Sequence, residues 1–203
     1  SGTLDGQGFV INGLVINRPS TQELGLIKYN YGSIQNLGLE NISVTGTFLL
    51  GGIASANYDA GSITACYVTG EIIGTQSLGG IVAANYLPCV VTDCYSVVDV
   101  TGAGNVVGGL VGSNSGSVVR CYSAGAVVGV GVLEVGGLMG KNNLGTVTAS
   151  YYDTTTSGQA DNVGKGEPRT TAAMMQQATF SGWDFGVVWT IDEGVDYPRL
   201  IWE

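Results

Sequence analysis

The chain has 203 residues, of which 34 are Gly, only 11% are charged and none is His. This length can bury a sizeable core, 44% hydrophobic residues argue against disorder, and the lack of His excludes Ser-His-Asp, Cys-His and HExxH chemistry within the chain. A net charge of −9 repels phosphate backbones and anionic membrane surfaces, so nucleic acid is not expected, and Gly and Asn break the longest uncharged stretches, such as residues 100–119, so no membrane insertion is expected.

The chain opens Ser-Gly-Thr-Leu-Asp, without a basic segment leading into an apolar one, so any export signal is expected to be removed or to lie upstream. From there to about residue 150 the sequence repeats itself. Gly pairs at 51–52, 79–80, 108–109 and 136–137 are spaced 28, 29 and 28 residues apart, and Asn30, Asn57, Asn85, Asn114 and Asn142 keep the same period. A third column runs through Leu37, Cys66, Cys94, Cys121 and Ser150, the last four followed by Tyr67, Tyr95, Tyr122 and Tyr151. Each unit reads as an apolar strand after the Gly pair, a turn at Asn, a second strand such as residues 117–122 and a third apolar run such as residues 126–128.

These columns predict an all-β fold, a right-handed parallel β-helix of about six coils over residues 1–160, with equivalent residues stacked about 4.8 Å apart. Gly at the corners supplies left-handed or close-approach backbone, and the Asn column stacks as an amide ladder. Cys66, Cys94 and Cys121 are expected as buried, reduced thiols, because parallel Cβ vectors in register do not give the torsion of a disulfide; Cys89 aligns with Gly61 and should not reach their column. Ala65, Asp93, Arg120 and Ala149 share an outward column by strand alternation, which predicts an exposed Asp93–Arg120 pair across adjacent coils.

Residues 108–112 and 136–140, each leading to Asn and then to Cys121-Tyr122-Ser123 or Ser150-Tyr151-Tyr152, resemble the GLUG repeat of large microbial surface and secreted proteins. Residues 51–55 and 79–83 depart from that motif in their last residue. The resemblance implies a β-solenoid with an extracellular or cell-surface location and an association with adhesins, and it assigns no catalytic residue.

After residue 160 the composition changes. Trp183, Trp189 and Trp202 join Phe180 and Phe185 in the last 24 residues, which reads as a capping segment over 161–203, with Thr170 or Thr171 starting a short helix. The rival for these Trp residues is a carbohydrate platform.

For function, the reading is a non-catalytic rigid module serving as adhesin stalk, adhesive surface or assembly unit, with glycans, other cell-surface molecules or further copies of itself as partners. The alternative is a carbohydrate-active enzyme or carbohydrate-binding module on the same fold, using paired carboxylates. Asp59, Asp93, Asp99 and Asp153 fall at different repeat phases, however, and form no same-face cluster. No cofactor is expected; calcium at Asp5, Asp153 or Asp161 lacks the strict Asp-x-Asp-x-Asp-Gly run. The stripe Tyr67, Tyr95, Tyr122 and Tyr151 is expected first as ring packing between coils, with ligand contact as the alternative, and Tyr31, Tyr58 and Tyr86 form a shorter second stripe. An ice-binding array is interrupted, since Val119 stands in the column of Thr64, Thr92 and Thr148.

Overall fold

The computed structural model describes residues 2–131, 134–160 and 163–203. Short strands stack coil upon coil in three parallel ladders to form a β-solenoid. One ladder holds Leu50–Gly51, Leu78–Gly79, Val106–Gly108 and Glu134–Gly136. The second holds Ile27–Asn30, Ala54–Asn57, Val82–Asn85, Val111–Asn114 and Met139–Asn142. The third sheet turns a corner within each coil, so that Ser62–Thr64, Val90–Thr92 and Ser117–Val119 lead into Tyr67–Gly74, Tyr95–Gly102 and Tyr122–Ser123. Five coils are complete, not six, because Thr3–Asn12 and Val15–Asn17 at one end and Glu167–Arg169 at the other pair only with this third sheet. At about 4.8 Å per coil the complete part rises about 24 Å.

Like stacks on like along the interior. Ile34, Ile63, Val91 and Val118 form one column and Ile53, Ile81, Leu110 and Leu138 another, all buried in a single core. Neither Gly of any pair has a positive φ, so close approach is what demands them. A Cβ on Gly51, Gly79, Gly108 or Gly136 would strike the carbonyl oxygen three residues ahead, and one on Gly109 would strike the Ser123 side chain of the opposite wall.

The left-handed backbone lies elsewhere. Asn36, Ala65, Asp93, Arg120 and Ala149 carry φ of 51°, 49°, 52°, 50° and 46°, one per coil, at the corner of the third sheet. The expected strand 117–122 is therefore broken at Arg120, and this column points outward because the chain turns there, not through strand alternation. A non-Gly residue in this region costs about 1–2 kcal/mol, offset here because each amide stays in the ladder, as when Asp93 N donates to Val119 O at 3.0 Å.

Just past the corner the chain turns inward at Cys66, Cys94 and Cys121, all buried and free. Their thiols fold back onto the carbonyls of Thr64, Thr92 and Val119 at 3.2, 3.1 and 3.3 Å. Ser150 fills the same slot and its hydroxyl makes the same bond to Thr148 O at 2.9 Å, while Leu37 fills the slot in the first coil. Cys89 pairs in register beside Gly61 and is buried away from that column.

The Asn column is a one-way chain of amides. Nδ2 of Asn30, Asn57, Asn85 and Asn114 donates to Oδ1 of the next Asn at 2.8, 3.1, 2.9 and 3.2 Å. The same Nδ2 groups reach turn carbonyls, such as Gly61 O from Asn57 and Gly116 O from Asn114. Asn142 ends the chain on Gly145 O and Gly164 O. A buried polar group stripped of its partner costs about 1–3 kcal/mol. Asn85→Ala should therefore destabilise by about 1–3 kcal/mol, since it leaves Asn114 Oδ1 without its amide donor and takes one acceptor from Asn57 Nδ2, and Asn142→Ala, at the end of the chain, by about half as much. Urea unfolding of the two variants beside the parent checks the order.

Candidate functional site

The Tyr column stands on the outer side of the corner, back to back with the Cys column. Parallel register brings Tyr67, Tyr95 and Tyr122 into a continuous stack, with neighbouring ring centroids 5.0 Å apart and planes within 3° and 4°. Tyr151 is next in the ladder but meets Phe180 edge-on at 82°, and Tyr197 stacks on Tyr122 instead, at 13°. The stripe does not face solvent. Tyr67, Tyr95, Tyr122 and Tyr151 are all buried, so the four rings serve as packing and present no open surface to a ligand.

What covers them is the C-terminal segment. The last coil itself is finished by residues 154–160 and 163–169: Asp153 caps the short helix Thr154–Ser157, Gly166 packs on Leu138, and Glu167–Arg169 adds a rung beside Tyr151–Asp153. Residues 170–203 then run back along the side of the rod as a strap, where an end cap was expected. Thr170 caps the helix Thr171–Met174, shorter than the run of unbranched residues suggests, and a 3-10 turn follows at Gln177–Thr179. Phe180, Trp183 and Trp189 lie against Tyr122 and Tyr151, and Trp202 reaches Tyr67 and Gly8 at the opposite end.

Hydrogen bonds fix the strap at each level. The Trp183 indole donates to Ala149 O at 2.8 Å, Tyr122 donates to Pro198 O at 2.7 Å, and Tyr197 donates to Asp153 Oδ2 at 2.6 Å. Arg120 forms two 2.7 Å bonds to Asp93, as the coil alignment requires. That pair is not an exposed surface contact, because Asp93 is buried and also receives the Trp189 indole at 3.3 Å. At the far end Tyr95 donates to Glu203 Oε2 and Tyr67 to Glu40 Oε1, both at 2.7 Å. Burial pushes the Glu203 carboxyl above the ordinary range, against the Tyr95 hydroxyl and the Leu200 amide that favour its charged form; nearby Glu40 pushes it further up. Nothing in the sequence marks Glu203, Glu40 or Pro198 as partners of the stripe, since each contact joins the repeat array to a segment outside it or lies at a non-repeating phase.

The second stripe remains open. Tyr31 stacks on Tyr58 at 5.7 Å and Tyr58 on Tyr86 at 4.6 Å, with Tyr29 edge-on to both Tyr31 and Tyr58. Tyr31 and Tyr86 are exposed, as is neighbouring Leu87. Lys28 lies over the Tyr29 ring and pairs with Glu23 at 2.8 Å, which places one charged pair at the edge of an aromatic patch. Burial and contact with Tyr86 hold the Tyr58 hydroxyl above its usual range.

The candidate calcium ligands are separate and already engaged. Asp5 accepts from Gln7 N, Gln35 and Asn36, whereas Asp153 caps its helix and binds Tyr197; Asp161 lies outside the described residues. Among the described residues no three Asp, Glu or Cys side chains come together as a metal site would require. No helix among the described residues is long and apolar enough to cross a membrane.

No family model matches the chain. A protein of Evansella cellulosilytica described as a "Putative Gly-rich membrane protein" is 47% identical over 100 residues. That match takes in 46% of this chain and 11% of the relative's length. A crystal structure of a "putative immunoglobulin A1 protease" from Bacteroides ovatus superposes with a TM-score of 0.73 over 98% of this chain and 77% of that one, at 21% identity. This likeness shows a shared β-solenoid fold.

Deleting residues 170–203 should expose the Tyr67–Tyr95–Tyr122 stack, give strong binding of a hydrophobic dye and lower the melting temperature; unchanged melting would show that the strap contributes nothing. The Glu203 carboxyl gives this contact a pH dependence. A carboxyl raised on folding stabilises the folded state below its ordinary pKa of about 4.5 and loses that contribution as pH rises through its folded value. The melting-temperature advantage of the parent over Glu203→Gln should therefore shrink between pH 4 and neutrality, as scanning calorimetry across that range will show.

Proposed function

We propose that the chain is a non-catalytic, rigid β-solenoid module of a secreted or cell-surface protein, acting as a spacer or adhesive unit in the manner of the GLUG-repeat proteins its motifs resemble. The observation that carries this reading is where the polar side chains go. The buried amides hold one coil to the next, the Asp93–Arg120 pair bridges two coils, and the Asp153, Glu40 and Glu203 carboxylates hold Tyr hydroxyls of the strap contact. The similar segment in a much longer Gly-rich membrane protein supports a place in the cell envelope, as one module among others. The protease description of the structural neighbour belongs to a chain 21% identical, and a shared solenoid carries no chemistry by itself.

A second reading, glycan binding, is favoured by one specific feature, the exposed ladder Tyr31–Tyr58–Tyr86 with the Glu23–Lys28 pair at its edge. Aromatic rings in line along a rigid rod suit the apolar faces of successive pyranose units, and the ion pair supplies polar contacts beside them.

Incubation with neutral and acidic polysaccharides and with casein should yield no product. Cleavage that disappears when a single Asp or Glu is made neutral would overturn the non-catalytic reading. On a glycan array the adhesive role predicts retained oligosaccharides, with binding reduced about tenfold or more by Tyr86→Ala at unchanged melting temperature.

A further inference from the structure

The two ends of the solenoid are built differently. At the C-terminal end the helix Thr154–Ser157 and the strand Glu167–Arg169 close the last coil, and Gly164 O receives the terminal Asn142 amide. At the N-terminal end the strand Thr3–Asn12 pairs on one side only, with Ser33–Thr45. Leu4, Phe9, Val10 and Ile11 are exposed along it, Phe9 at 73%, as is Val15 at the start of the next strand. Behind that edge the core is open in cross-section. A concavity of about 560 Å³ is lined in part by Val15, Ile16, Leu24 and Leu26, and a second of about 210 Å³ by Leu4, Ile27, Asn30 and Ile34. Ile16, Leu24, Leu26 and Ile27 are the inward residues that further coils cover elsewhere in the rod.

The amide ladder gives this end a direction. Asn57, Asn85, Asn114 and Asn142 each accept at Oδ1 from the Asn of the preceding coil. Asn30 Oδ1 accepts the Gly32 N–H at 3.1 Å, and among the described residues no side-chain amide reaches it. Charge does not oppose contact here, since Arg18 and Lys28 balance Asp5 and Glu23 and the whole formal charge of −9 falls on residues 31–203.

We propose that the N-terminal end is a docking surface for one more β-solenoid coil running parallel to the others, with an Asn or Gln amide donating to Asn30 Oδ1 and apolar side chains seated over Ile16, Leu24, Leu26 and Ile27. A second copy meeting this end head to head fits worse, because two Asn30 Oδ1 acceptors would then face one another. A second copy adding head to tail would present residues 154–169 where the coil must sit.

The chain's own repeat supplies the probe. Ser33 lies beneath Thr3 and Gly32 beneath Gly2 in register, so residues 33–60 duplicated directly ahead of Gly2 place a second Asn57 side chain at Asn30. The duplicated chain should melt higher than the parent, and amide exchange across Thr3–Asn12 should slow about tenfold or more, whereas fusion of the same residues in scrambled order should change neither. A shorter fusion of residues 50–60 alone gives an independent readout, slowed exchange at Ile27–Asn30. Exchange at both strands unchanged from the scrambled control would overturn the proposal. So would sedimentation of the unmodified chain as a dimer with Thr3–Asn12 already protected, which would assign the end to a second copy.

Discussion

Every other feature of this molecule depends on exact register between successive coils. The parallel ladder places each residue above its equivalent about 28 positions away, so a side chain is judged by how well it stacks on its own kind. Ile and Val above Ile and Val fill the interior, Asn above Asn forms a chain of amide bonds, and Tyr above Tyr gives rings 5.0 Å apart and almost parallel. A slip of one residue would turn the apolar columns outward and break the amide chain at every level. The Asn ladder helps to hold that register, because its donors and acceptors tolerate neither a shift along the strand nor a reversal of direction.

The corner column shows how such a scaffold accommodates variety. Asn36, Ala65, Asp93, Arg120 and Ala149 share one strained backbone conformation yet differ in size and charge. Their side chains lie outside the core, so backbone geometry is what repeats, and the side chain answers to whatever lies against that wall. At Asp93 and Arg120 the neighbour is Trp189, and the position has become a half-buried charge pair, with Asp93 covered and an indole bonded to it while Arg120 keeps part of its surface in solvent. Removing one partner from such a pair leaves a desolvated charge, which is costlier than the pair itself is stabilising.

The solenoid was legible in the sequence because its signals are periodic. The Gly pairs, the Asn column and the Cys–Tyr column fix period, register and the Cys slot down to the substitutions at Leu37 and Ser150, and the Asp93–Arg120 contact follows from the same alignment. Two things were hidden. The corner at Arg120 is invisible because its left-handed backbone is occupied by five residues of four types, none of them Gly. The fate of the Tyr stripe is invisible because the strap that covers it does not repeat. Composition locates the aromatic residues of 180–202 without saying whether they close the end of the rod or lie along its side. The segment lies along the side, where its aromatic residues share one apolar cluster with the Tyr column.

A stack of coils touching only their neighbours behaves as a one-dimensional array that can fray from either end, one unit at a time. The strap changes that. Tyr95 and Glu203 are 108 residues apart and joined by one hydrogen bond, and Trp202 rests on Tyr67 and Gly8 after the chain has left the last coil. The final residues therefore close a loop around nearly the whole array, so that the first coils cannot loosen without releasing the last segment of the chain. A modular rod is thereby tied into a single cooperative unit, slower to assemble because its closing contacts are distant in sequence.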